Sequence, residues 1–240
     1  MLYNLFGFAE DCIGKEGEFY HLDHHGVKFL HSSFLKEWAD LYLGEVNTVF
    51  DIGAFEGGDS LRFTSWYPKA TIYSFEATKN NFNIINKKLG DKHPNIKVIN
   101  KAMSSTNGII TLHQLDFPFP EITSDTLVMG SIYTATEKQL SNHGQKQITD
   151  IQVESVTFDT FCEENGITEV DIMHIDIEGA TFNVCMGMNK ILPKMIFTEK
   201  ENNKLFNKDE GGDTELIKLL CSKGYKLVKV LNNDFLFVLK

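Results

Sequence analysis

At 240 residues with 42% apolar side chains, the chain is long enough for one domain with a sizeable core. Its 23 Lys and Arg against 33 Asp and Glu leave a formal net charge of −10, and no basic run stands out, which argues against a phosphate-binding face for DNA or RNA. No stretch approaches the roughly eighteen apolar residues of a membrane span, and the start, MLYNLFGFAED, has neither a basic n-region nor a long apolar h-region, so no signal peptide is expected.

Residues 1–45 read as an N-terminal cap ahead of a domain over 46–240. Within the cap, His21, His24 and His25 lie close together, but no Cys is near and a solvated loop is expected, not a metal site. HSSFLKEWADLYLG places Phe34, Leu35, Trp38, Leu41 and Tyr42 at helical spacing and stops at Gly44. Cys12, Cys162, Cys185 and Cys221 are dispersed without a C-x-x-C pattern, which predicts free thiols in a reducing cytoplasm.

From residue 48 the pattern alternates strand and helix. TVFDI is a strand, residues 57–67 a helix ended by Pro68, TIYSF a strand, NNFNIINKKLG a helix and NIKVINKA a third strand. GIITLHQL is extended, and the insertion at about 113–150 is irregular and polar over residues 116–150. VESVTF is extended and DTFCEENG a short helix. DIMHIDIEG is a strand with its turn, TFNVCMGMNKIL is helical, KMIFTEKE a strand and DTELIKLLCSKG a helix. KLVKVL and FLFVLK close the chain as an antiparallel hairpin. This order predicts an α/β fold: a Rossmann-like, mostly parallel sheet with helices on both faces and an antiparallel C-terminal hairpin.

The first turn carries the chemistry. In TVFDIGAFEGG a strand ends near Asp51, Gly53 follows, and Ala54 and Phe55 complete the turn. A dinucleotide fingerprint laid on Gly53 puts Phe55 where a bare glycine must let the backbone approach a pyrophosphate. A cofactor without phosphates and with positive charge fits better, and S-adenosylmethionine is such a molecule. Gly53 is then expected to approach its methionine part and Asp51 to face its ammonium, directly or through water. Glu76, 25 residues after Asp51, is placed to accept the ribose hydroxyls, as a strand-end acid outside the core. Ala77, Ala102 and Met103 are candidate adenine neighbours.

At the carboxyl end of a central strand, where ligands of open α/β sheets bind, His174 and Asp176 share one face by alternation. His174, Asp176 and Glu178 are the candidate catalytic residues, with Asp176 also within reach of the cofactor. Glu199 and Ser131 are candidate acceptor contacts.

In this order the segments VFDIGAFEG, YSFEA, VINKAMS, VTFDTF, DIMHIDIEGA and IFTEKE resemble the FkbM family of S-adenosylmethionine-dependent methyltransferases over about 48–201. The resemblance implies the seven-stranded methyltransferase sheet and O-methylation of a sugar or other hydroxylated small molecule, in glycan or natural-product biosynthesis. Two positions depart from it: His174 stands where the family usually has Lys, and Thr181 where it often has Glu. Two other readings compete. An NAD(P)-dependent Rossmann oxidoreductase is opposed by Phe55 and Asp51, and a non-catalytic S-adenosylmethionine-binding protein is opposed by Asp176 and Glu178.

Overall fold

The computed structural model describes residues 21–22, 28–29, 33–90, 92–115, 129–134, 147–200, 212–230 and 234–240. Most of the expected N-terminal cap, with Cys12, His24 and His25, lies outside the described residues. Two short strands from it, β1 (His21–Leu22) and β2 (Lys28–Phe29), pair antiparallel, and α1 (Ser33–Tyr42) follows.

The domain then runs β3 (Thr48–Ile52), α2 (Gly58–Trp66), β4 (Thr71–Phe75), α3 (Lys79–Ile85), β5 (Ile96–Ile99), β6 (Ala102–Met103), β7 (Gly108–Leu115), β8 (Met129–Ser131) and β9 (Gln147–Val156). It continues with α4 (Phe158–Glu164), β10 (Ile172–Ile175), α5 (Thr181–Met186), β11 (Met195–Glu199), α6 (Asp213–Ser222), β12 (Tyr225–Val230) and β13 (Asp234–Leu239). Seven strands make the main sheet in the order β12-β13-β11-β10-β3-β4-β5, parallel except for β13, which runs antiparallel between β11 and β12. The strand order reverses between β3 and β10, so the crevice beyond their carboxyl ends is the switch point where such sheets take ligands.

Strand alternation sorts the core into two layers. Phe50, Ile52, Tyr73, Phe75, Met173 and Ile175 point to the face covered by α4, α5 and α6. Val49, Ile72, Ile172, Met195 and Phe197 point to the face covered by α1, α2 and α3. Both faces are dry, as a mostly parallel sheet requires.

The structure departs from the expected elements in four places. NIKVINKA breaks into β5 and β6, which belong to different sheets. The helix after β4 opens into a π-helical turn over Asn86–Gly90, which keeps Leu89 in the core. The helix from Thr181 stops at Met186, and Gly187 just beyond it packs so closely that a Cβ there would lie 2.6 Å from the Ser104 carbonyl oxygen. The stretch 116–150 is not wholly irregular: β8 and the first residues of β9 fall inside it and pair with β7 in a second sheet, order β6-β9-β7-β8. Those pairings are long-range, so the local pattern carried little trace of them.

Candidate active site

Beyond the carboxyl ends of β3, β4 and β10 lies a cavity of about 210 Å³. Its walls come from the turn after β3 (Gly53, Phe55), the end of β4 (Glu76, Ala77, Thr78), the β5–β6 region (Ala102, Met103) and the turn after β10 (Asp176, Ile177, Glu178). Gly130 and Ile132 close it from the insertion. The turns interlock through the backbone. The amides of Gly53 and Ala54 donate to the Phe75 carbonyl at 3.0 and 2.9 Å, and the Asp176 amide donates to the Ile52 carbonyl at 2.9 Å. Gly53 has φ +91°, and a Cβ there would sit 1.8 Å from the Asp176 carbonyl oxygen. The glycine is therefore demanded by the neighbouring turn before any ligand is considered.

Glu76 is buried, not a solvated strand-end acid. One carboxylate oxygen accepts the Phe55 amide at 3.1 Å, and the other accepts the Thr78 amide at 2.8 Å and the Thr78 hydroxyl at 2.7 Å. Burial pushes its carboxyl up, and these hydrogen bonds pull it back. The Asn81 side chain donates to it as well, so about four lone-pair directions are already met and a ligand hydroxyl would take the place of one of these donors.

Asp176 and Glu178 present the opposite case. Among the described residues neither carboxyl has a hydrogen-bond or ion-pair partner, although both line the cavity. Asp176 is open to the cavity but ringed by protein. Confinement raises its carboxyl, His174 lowers it, and Asp59 and Asp51 raise it. Glu178, with an unusual φ of +52°, is pushed up to about 7 by burial and then by the Asp176 charge. Asp234, on β13, is raised to about 6 by burial and by Asp176, against His174 and Lys200.

The other candidates fall as follows. Asp51 and His174 do not line the cavity; both lie inside the sheet, where the Asp51 carboxylate meets His174 Nδ1 at 2.9 Å and accepts the Ser60 hydroxyl. A direct contact of Asp51 with a ligand ammonium is thus not the geometry seen, because alternation turns its side chain to the α2 face. Ala54 is buried against the same layer. Ser131 is also buried: its hydroxyl donates to the Glu178 carbonyl at 2.8 Å and accepts the Tyr133 amide at 3.1 Å, so it fastens the insertion to the turn after β10 while its neighbours face the cavity. Glu199 ends β11 opposite Asp234, away from the cavity lining. Thr78, Asn81 and Leu112 line the cavity without having stood out in the sequence. Thr78 and Asn81 follow Glu76 by two and five residues, the only local hint.

Among the described residues no group of three or more His, Cys, Asp or Glu is arranged for a metal, and no helix is long and apolar enough to cross a membrane. Cys162 and Cys185 are free and buried, and Cys221 is free and partly buried. Burial pushes the Cys162 thiol up to about 12, with Asp159 and Glu163 adding to it, so it is no nucleophile at neutral pH.

The residues suit a cofactor with an apolar ring system, a diol and positive charge. Met103, Leu112 and Ile132 offer the apolar wall, Glu76 an acceptor, and Asp176 and Glu178 unpartnered negative charge. Residues 51–227, well over half of the chain, match the family described as the methyltransferase FkbM domain. The chain is 27% identical over 161 residues to the 2-O-methyltransferase NoeI of Sinorhizobium fredii (strain NBRC 101917 / NGR234), covering 66% of this chain and 65% of that protein, just under two thirds of its length. Similar solved structures include the precorrin-6y C5,15-methyltransferase of Geobacter metallireducens GS-15, with a TM-score of 0.45 at 11% identity over 92% of this chain and 95% of that one. Another is a SAM-dependent methyltransferase of Aquifex aeolicus, with a TM-score of 0.42 at 13% identity over 87% and 88%. The chain belongs to the FkbM methyltransferase family, whose cofactor is S-adenosylmethionine.

Proposed function

We propose that the chain is an O-methyltransferase acting on a hydroxyl of a sugar or other hydroxylated small molecule. The observation that carries this reading is the pair of cavity carboxyls, Asp176 and Glu178, that no described residue satisfies. Asp176 is exposed and Glu178 half-buried at the cavity, so both carboxyls are open to a ligand. The name of the 2-O-methyltransferase relative supports transfer to oxygen.

Bound in the cavity, S-adenosylmethionine supplies a methyl carbon that is already electrophilic on its sulfonium. The protein's work is alignment and proton removal. Glu76 accepts from the ribose hydroxyls, and Met103 and Leu112 flank the adenine. Asp176 accepts the proton of the acceptor hydroxyl, which is a poor nucleophile until it is relieved of it. Glu178 adds negative charge beside the cofactor's cations. A second assignment, with Glu178 as the base, is favoured by its carboxyl lying at about 7, near the operating pH.

The test is single-turnover methyl transfer from radiolabelled S-adenosylmethionine to a panel of free and glycosidic hydroxyl acceptors. Asp176→Asn should lower turnover by about 10²–10⁴-fold, the usual range for general-base catalysis, while S-adenosylhomocysteine affinity stays near wild type. Normal turnover in that variant with loss in Glu178→Gln moves the base to Glu178. Binding of NAD in place of S-adenosylhomocysteine overturns the whole reading.

A further inference from the structure

Three adjacent strands carry a polar residue at the same level on the α2 face. Register places His174 of β10 beside Asp51 of β3, and Asp51 beside Ser74 of β4. Ser60 of α2 closes the row, donating to Asp51 and sharing a hydrogen bond of 2.5 Å with Ser74. On the outer side, the imidazole stacks on Phe197 at 5.6 Å and meets the edge of Phe63 at 5.9 Å. Every member of this row is buried. A buried polar row in an otherwise apolar layer is costly unless fully connected. Here it is connected, and its position has a meaning: Gly53, Glu76 and Asp176, each two residues beyond a member of the row, all line the cavity. The row is the layer directly beneath the site.

Its charge is equally specific. Carboxylates from three elements act on the imidazole, Asp51 from β3, Asp59 from α2 and Asp176 from its own turn, and the imidazole in turn lowers the Asp234 carboxyl of β13, as Lys200 does. Asp59 is paired with Arg62, and Asp51 is shared with Ser60, so Asp176 is the member of this group with no other partner among the described residues.

Resting on the methyl-transfer reading above, we propose that His174 is a positioning residue: held by Asp51, its imidazolium is the buried counter-charge that keeps the Asp176 carboxylate ionised at the cavity floor. Burial alone lowers an imidazole's proton affinity, but the hydrogen bond and charge of Asp51 outweigh it, and the ring is held charged up to about pH 9. A lysine at this position would supply the same charge without titrating below its own range; a neutral amide would not supply it.

The experiment is a ligand-free NMR titration of the full chain, with labelled imidazole nitrogens and carboxyl carbons. Both ring nitrogens of His174 should stay protonated through neutral pH. In His174→Gln the proton affinity of the Asp176 carboxyl should rise by about tenfold, one unit in its midpoint, and in His174→Lys it should return to the wild-type value. The pH profile of methyl transfer should follow: the acid limb moves up in His174→Gln, and the alkaline limb moves up in His174→Lys. A neutral His174 at pH 7 in the wild type, which needs no variant to fold, overturns the proposal. So does an Asp176 midpoint indifferent to His174→Gln. S-adenosylhomocysteine calorimetry on the same samples tests the cofactor reading separately, since the titrations contain no ligand.

Discussion

Glu76 already holds two amides, a hydroxyl and the Asn81 side chain before it meets a ligand, and that decides what its removal does. Glu76→Ala takes an acceptor from the ribose, and hydrogen bonds to a charged group are worth about 1.5–3 kcal/mol. S-adenosylhomocysteine affinity should therefore fall by about ten- to a hundredfold by calorimetry. The same change leaves the Phe55 and Thr78 amides without their acceptor, and unsatisfied buried donors cost about 1–3 kcal/mol each at most. Urea unfolding should thus show lower stability, partly recovered in Glu76→Gln. Unaltered affinity would place the ribose elsewhere. The sequence placed Glu76 just after a strand, and there it lines the cavity. It did not reveal the burial, because that depends on Thr78 folding back over the carboxylate.

At the scale of elements, two turns and one short strand set the cavity's shape. The turns after β3 and β10 touch so closely that Gly53→Ala must displace the Asp176 carbonyl or the Ile177 side chain, 2.9 Å from the added carbon. The residue also has φ +91°, which L side chains rarely adopt. We expect Gly53→Ala to lower the thermal midpoint and to abolish S-adenosylhomocysteine binding. Gly44→Ala, with nothing within 4 Å of its added carbon, should do neither. Equal behaviour of the two variants would deny the interlock. On the other wall, Ser131 of β8 joins the insertion to the Glu178 turn. Ser131→Ala should quicken amide exchange over residues 130–133, with a modest change in global stability, since it removes two hydrogen bonds and each neutral one is worth about 1 kcal/mol. Exchange no faster than wild type would mean that other contacts hold the strap.

For the whole molecule, the shifted carboxyls and His174 near the site act in one direction with pH. The folded chain holds protons on Glu178 up to about 7 and on Asp234 up to about 6, where the unfolded chain has released them near 4. Stability therefore falls as pH rises through those values. His174 adds to the trend: its contribution is complete below about 6.5, the ordinary histidine value, and is lost as pH rises through about 9. The thermal midpoint of the ligand-free chain should fall between pH 6 and pH 9. A cationic ligand should relieve this, because ionised Asp176 and Glu178 are then wanted. The preference for S-adenosylmethionine over S-adenosylhomocysteine should grow from pH 5.5 to 8 in competition calorimetry. A ratio constant across that range would remove the cavity acids from any role as counter-charge to the sulfonium.

The sequence by itself determined the parallel sheet and its ligand edge. Runs such as Thr48–Ile52 and Thr71–Phe75 are apolar, short and bounded by turn residues, and that signal is local. Phe55 in the first turn and Glu76 after the second strand were legible for the same reason. Only the tertiary structure decided which way the polar strand residues face and what they meet. Asp51 and His174 are 123 residues apart in sequence and 2.9 Å apart in space, brought together by parallel pairing and turned from the cavity by strand alternation. β8 and the start of β9 appear only because β7 supplies their hydrogen bonds. Contacts between distant segments depend on register and burial, and a single chain's local pattern does not encode either one on its own.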